Sequence, residues 1–177
     1  MSEQAIDFVK MTDDAIKVVT DPKGFYASMP QKGGFQTPII FAVIMSLAAA
    51  AVTFVLAVLN MGAMSSMGFG AISAFIVYPI GIVLFSFIVA AIMYVVWRLM
   101  GSEKDFEVAV RCVAYSTAVM PIAAAIMILP FIGNIVQPIW GCLLMYMASI
   151  TTHGREEQTS QIVFGILAAI LVLGAIT

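Results

Sequence analysis

Residues 97–115 read WRLMGSEKDFEVAVRCVAY, and this stretch is the only place between Gly33 and Thr152 where the chain carries charge. On its N-terminal side, 65 residues from Gly33 to Trp97 contain no Asp, Glu, Lys or Arg; on its C-terminal side, Cys112 to Thr152 adds 41 more. A helix needs about 20 apolar residues to cross a hydrocarbon layer of ~30 Å, so each run is long enough for two crossings. The charged stretch therefore reads as an aqueous loop between two membrane hairpins. Composition agrees, with 62% hydrophobic and 10% charged residues against roughly 45–50% and about 25% in soluble domains. The net charge of -2 and the scattered basic residues give no stripe for nucleic acid. Two cysteines make no disulfide framework.

Working outward, residues 1–35 hold half of the charged groups and read as a cytoplasmic or interfacial segment preceding a transmembrane domain at 36–177. Acidic and basic residues alternate there, unlike a signal peptide, whose apolar core follows a basic start. Ala5, Phe8, Thr12, Ala15 and Val19, flanked by Val9 and Ile16, recur at helical spacing and predict an amphipathic helix, either lying at the interface or packed on cytosolic loops. Asp21-Pro22 and Lys23-Gly24 stop it. Phe25, Tyr26 and Met29 read as a second short interfacial piece.

The first span is expected over 38–59. Small residues at Ser46 and Ala48–Ala51 would let a neighbouring helix approach closely. An uncharged turn, NMGAMSSMGFG, fills 60–70. The second span, 71–97, contains Tyr78-Pro79 and Gly81, which predict a kink or tilt, and it ends in an aromatic and basic anchor of Tyr94, Trp97 and Arg98. Ser102 with Asp105 matches a capping pattern for the third span, which runs to about Leu129. Pro130, Gly133 and Asn134 predict a tight return into a fourth span over 135–150. After HGREEQ at 153–158, a fifth covers 161–176. The fold expected is all-α, a polytopic bundle of five transmembrane helices. All eight Lys and Arg fall on one side of this arrangement, so the N-terminus is expected in the cytoplasm and the C-terminus outside.

These motifs, taken in order, resemble the bacterial branch of the Yip1 family of five-span membrane proteins. Asp21-Pro22-Lys23-Gly24-Phe25-Tyr26 is similar to the segment that leads into the first span. Gly101–Phe106 with Arg111 and Ala114-Tyr115 resembles the central loop and third helix, and Leu129–Gly133 and His153-Gly154 the following turn and the fourth-helix end. The resemblance covers nearly the whole chain from Val18. One departure stands out: the family often places a proline four residues after the tyrosine, where this chain has Val119, its own proline being Pro121. The resemblance implies a bacterial inner-membrane location and a membrane role. In eukaryotes it implies vesicle traffic and engagement of lipid-modified small GTPases. About 35 residues ahead of the first span leave little surface for such a partner, so GTPase binding is not expected, nor is nucleic-acid binding.

No catalytic constellation is legible. His153, Glu156 and Glu157 are the best metal candidates, since His with carboxylates can hold a divalent ion, but a solvated loop explains them as well. No second His exists to complete a site. Serines and threonines within spans, among them Ser46, Thr53, Ser86, Ser116 and Thr117, lack a base and read as interhelical hydrogen-bonding groups. Cys112, near the membrane surface, is a candidate for acylation. Met61, Met64 and Met67 could present thioethers to Cu(I), although adaptable packing accounts for them too. No cofactor is expected. The reading is a non-catalytic membrane organiser or interaction partner that self-associates or pairs with another membrane protein in the bilayer. The alternative is a small channel or carrier for a lipid, ion or small solute, without proton coupling because no ionisable group lies deep in a span. Pro79, Pro121 and Pro138 could break helices around a path lined by Tyr78, Tyr115, Asn134 and Gln137. Candidate interaction or cavity residues are Asp21, Pro22, Phe25, Tyr26, Tyr78, Pro79, Tyr115, Pro121 and Gly133.

Overall fold

The computed structural model describes residues 7–61 and 72–176. Met64, Ser65 and Met67 lie outside that range, so the thioether reading of the 60s turn falls outside the described residues.

Helix α1 (Phe8–Thr20) starts on Asp7, whose Oδ1 accepts the Lys10 N–H at 3.0 Å. Asp21 ends α1 by donating its N–H to the Lys17 carbonyl at 2.8 Å, and its carboxylate accepts the Gly24 N–H at 3.0 Å to open α2 (Pro22–Ser28). Pro22 occupies the first turn, where its missing N–H costs nothing. A Cβ at Gly24 would push the Asp21 carboxylate out of this cap. Asp-Pro-Lys-Gly is thus one joint serving two helices.

Five long helical segments follow, each long and apolar enough to cross a membrane. They are α3 (Gln36–Val58), α4 (Ala74–Leu99), a composite third span, α7 (Pro130–Thr151) and α8 (Glu157–Ile176). The third span consists of α5 (Phe106–Ser116), a 3-10 turn (Thr117–Val119) and α6 (Met120–Ile126). No strand occurs among the described residues. The chain is a multi-pass, all-α membrane protein.

Burial ranks the spans. In the most apolar window of the third span 61% of residues are buried, against 11% in α4 and in α8. The third span is therefore the axis of the bundle. Helix α3 packs on α4, α5 and α6, while α7 joins α2, α5 and α6 to the outermost helix α8.

Proline and turn placement depart from expectation. Helix α4 continues past Pro79 and α7 past Pro138, each without the bond that proline cannot donate, and of the three only Pro121 follows a 3-10 turn, Thr117–Val119, that interrupts its span. Helices tolerate proline within a membrane when neighbouring groups satisfy the freed carbonyl. The return between α6 and α7 falls at Met127–Leu129, so Gly133 and Asn134 lie inside α7 rather than in the turn. Gly133 serves packing: a Cβ would stand 2.5 Å from Met127 Sδ. Helix α8 begins at Glu157, four residues earlier than read from sequence. Helix α5 starts on Asp105, three residues after Ser102 and without a side-chain cap, while the Ser102 hydroxyl pairs with His153 and accepts the Lys104 N–H.

Candidate functional site

Buried polar and aromatic groups converge at one end of the bundle, where α1, α2, the end of α4, the start of α5 and the adjoining loops carry the lysines and arginines. Helix α2 is its anchor. Tyr26, read as interfacial, is completely buried. Its hydroxyl donates to the Cys112 carbonyl of α5 at 3.2 Å, and its own carbonyl accepts the Thr152 hydroxyl at 2.7 Å. One residue thereby ties α2 to the axis helix and to the end of α7. Phe25 packs edge-on against Tyr115 at 5.1 Å between centroids, and Tyr115 in turn meets Phe41 of α3 at 4.9 Å. Cys112 is fully enclosed by this cluster, which closes the thiol to acylation.

Arg111, 3% exposed, holds the segment between α2 and α3. Its guanidinium donates to the carbonyls of Pro30 at 3.2 Å and Gly34 at 2.8 Å and to Glu107 Oε1 at 3.1 Å. Glu107 Oε1 also accepts the Gly34 N–H at 2.8 Å. Lys104 Nζ donates to Gln31 Oε1 at 2.7 Å. A buried cation is tolerable only with such saturation of its donors.

Beside this clamp, His153 stacks on Trp97 at 3.8 Å, 20° from parallel, and its Nδ1 pairs with the Ser102 hydroxyl at 2.8 Å. Burial, with Lys104 and Arg155 nearby, pushes the imidazole down to about 3. It is neutral at physiological pH and acts as a fixed stacking plate rather than as a base. Its Nε2 and the Trp97 Nε1 are buried with no hydrogen-bond partner. Glu156 and Glu157 turn away from it, accepting from Thr159 at 2.7 Å and Tyr146 at 3.1 Å. Among the described residues no group of three His, Cys, Asp or Glu side chains could hold a metal.

The Yip1 domain family model matches residues 16–177, from the middle of α1 through α8. This chain belongs to the Yip1 family. No curated protein and no solved structure matches it. Of the residues quoted above for the family resemblance, Asp21 through Tyr26, Gly101 through Phe106, Arg111, Ala114, Tyr115, His153 and Gly154 fall within this stapled end of the Yip1 domain, whereas Leu129 through Gly133 lie at the opposite end, at the return between α6 and α7.

Two cavities flank the axis of the Yip1 bundle. The first, about 440 Å³, lies between α1 and the bundle and reaches Phe41, Arg111 and Tyr115. The second, about 310 Å³, is lined by Thr53, Tyr78, Gln137 and small residues of α3 and α6. Tyr115 and Tyr78, read as lining a common path, thus belong to different cavities. Ala42, Ile82 and Ala114 pack together from α3, α4 and α5, and Ala118 and Val119 are also buried in the axis span. Of the in-span hydroxyls, Ser46, Ser116 and Thr117 bond to carbonyls of their own helix. Thr53 meets Tyr78 across helices at 3.5 Å, and Ser86 has no partner. The hydroxyls of Ser149 and Ser160, 2.8 Å apart, join α7 to α8; Ser149 lies in an apolar run and Ser160 in the polar stretch REEQTSQ, so nothing in the sequence paired them.

Proposed function

We propose that this Yip1 chain acts without catalysis in a bacterial inner membrane, as an organiser that associates with copies of itself or with another membrane protein. The observation that supports the reading is that, among the described residues, Tyr115 and Tyr78 line two different cavities rather than one. Helices α4 and α8 are the least buried of the spans, with Leu84, Phe85 and Ile88 on α4 among the exposed residues, so α4 is a surface open to a neighbouring helix as well as to lipid. All basic residues gather at the stapled end, which favours placing that end, the N-terminus and residues 1–35 in or on the cytoplasmic side and the C-terminus outside. GTPase binding is not part of the proposal.

The test is photo-crosslinking from Leu84 and Phe85 in native membranes, with adducts identified by mass. A discrete protein adduct, a second copy or one reproducible partner, is the expected result; adducts with lipid alone would sink the proposal. The alternative, a passive carrier, draws on the polar cavity at Thr53, Tyr78 and Gln137, and solute flux across liposomes holding the purified protein would favour it. A cysteine in place of Ser65, labelled only from outside the cell, is the outcome that fits the orientation.

A further inference from the structure

The cavity between α1 and the bundle has no task in the role proposed above. Its volume of about 440 Å³ falls within the ~300–1,000 Å³ of small-molecule sites, and its walls differ in character. Helix α1 contributes Asp7, Lys10 and Asp14; the facing wall contributes Lys32, the first turn of α3, Arg111 and Tyr115. Two ion pairs neutralise most of the charge, Lys10 with Asp14 and Arg111 with Glu107. That leaves one carboxylate, Asp7, on the α1 side and one ammonium, Lys32, on the other, neither in an ion pair among the described residues.

The donors near Lys32 converge. No side chain caps the N-terminus of α3, so its first backbone N–H groups, at Gln36 and Thr37 on the cavity wall, lack intrahelical partners and sit at the positive end of the helix dipole. Tyr115 is 3% exposed and its ring is held by Phe25 and Phe41, yet its hydroxyl has no hydrogen-bond partner among the described residues. That hydroxyl opens onto the cavity wall and is free to donate to a group that fills the cavity. Met11, Ile40 and Phe41 supply an apolar floor.

The setting points to lipid. Phe8, Val9 and Ile16 of α1 are 63%, 74% and 55% exposed, an apolar stripe of the kind that suits the headgroup and acyl boundary of a membrane. The cavity behind it is then at headgroup depth. We propose that this cavity binds the headgroup of a zwitterionic phospholipid, its phosphate toward Lys32, Tyr115 and the start of α3 and its ammonium toward Asp7. The first methylenes of the lipid would lie on Met11, Ile40 and Phe41.

The experiment uses the full chain, delipidated in detergent, with lipid retention read by native mass spectrometry against phosphatidylethanolamine, phosphatidylglycerol and water-soluble glycerophosphoethanolamine. Phosphatidylethanolamine should be retained in preference to phosphatidylglycerol. Tyr115→Phe, which keeps the packed ring, should weaken its retention roughly fivefold by loss of one hydrogen bond, and Lys32→Glu by about tenfold or more. Asp7→Asn, which caps a helix as well as Asp does, should abolish the preference between the two lipids while leaving phosphatidylglycerol retention unchanged. Equal retention of both lipids, or retention untouched by Tyr115→Phe and Lys32→Glu in variants that melt like the parent, overturns the proposal. So does glycerophosphoethanolamine competing as well as the intact lipid, which would make the ligand a soluble phosphate ester. Lipid retention does not depend on a protein partner, so this result and the crosslinking result can fail separately.

Discussion

The two ends of the bundle are held by different forces. At the stapled end, Tyr26, Arg111, His153 and Glu107 make hydrogen bonds that span 50 to 130 residues of sequence and fix α2, the segment before α3, the central loop and the α7–α8 turn as a single body. At the far end, beyond the 3-10 turn in the axis helix, the spans meet mainly through small and apolar side chains, with Thr53 and Tyr78 as a long polar contact at 3.5 Å. Membrane helices gain little from apolar burial itself, since lipid is as apolar as the partner; what fixes them is close packing and hydrogen bonding where geometry is good. The contrast teaches that this Yip1 domain is a rigid platform at its charged end with helices hanging from it into the bilayer.

That contrast can be broken most severely at Tyr26. Tyr26→Ala removes a fully buried ring and both of its anchoring contacts are disturbed, for an expected loss of roughly 4 kcal/mol, read as a large drop in thermal stability of the purified protein in detergent. Tyr26→Phe, losing only the bond to the Cys112 carbonyl, should cost about 1 kcal/mol. If the two variants melt together, the ring is not the anchor. Arg111→Leu comes next: removing the cation strands Glu107 and two carbonyls, at a cost of roughly 3 kcal/mol, and protease cleavage should appear between Pro30 and Gly34.

The spans were legible because charge is excluded from them, a signal that survives any detail of packing. The joint at Asp21-Pro22 was legible too, since proline and glycine act locally. The stapled end was not. Arg111 looked like the polar start of a span because its partners at Pro30 and Gly34 are backbone carbonyls, which carry no residue-type signature. Tyr26 looked like an interfacial aromatic for the same reason: the groups that bury it come from α5 and α7. Ser102 with Asp105 looked like a helix cap, but the helix starts on Asp105 and the Ser102 hydroxyl pairs with His153, 51 residues away. Of the three prolines read as breaks, only Pro121 follows an interruption, and sequence offers no way to know which freed carbonyls will find partners.

His153 sharpens the comparison through pH. Its folded value of about 3 lies below the unfolded value of about 6.5. Above pH 6.5 neither state holds the proton, and the group contributes no pH dependence. As pH falls from 6.5 toward 3 the unfolded chain takes up a proton that the folded chain refuses, so stability declines, by at most about 1.4 kcal/mol per pH unit. Between pH 7 and 5 the thermal midpoint of the parent should therefore fall more steeply than that of His153→Gln. Parallel slopes would mean that the imidazole is not held neutral against Trp97.

The smallest effect belongs to the far end. Thr53→Val keeps the shape of the side chain and removes the hydroxyl that faces Tyr78. Interhelical hydrogen bonds in membrane proteins average about 0.6 kcal/mol, and at 3.5 Å this one should be at or below that figure. Ser149→Ala, which breaks the 2.8 Å pair with Ser160 near the stapled end, is the matched control and should cost more, because it strands a buried hydroxyl on α8. If Thr53→Val proves the more damaging of the two, the far end is no loose set of hanging helices. The cavity beside Tyr78 would then be a structured polar site, and the carrier reading would gain the support that it otherwise lacks.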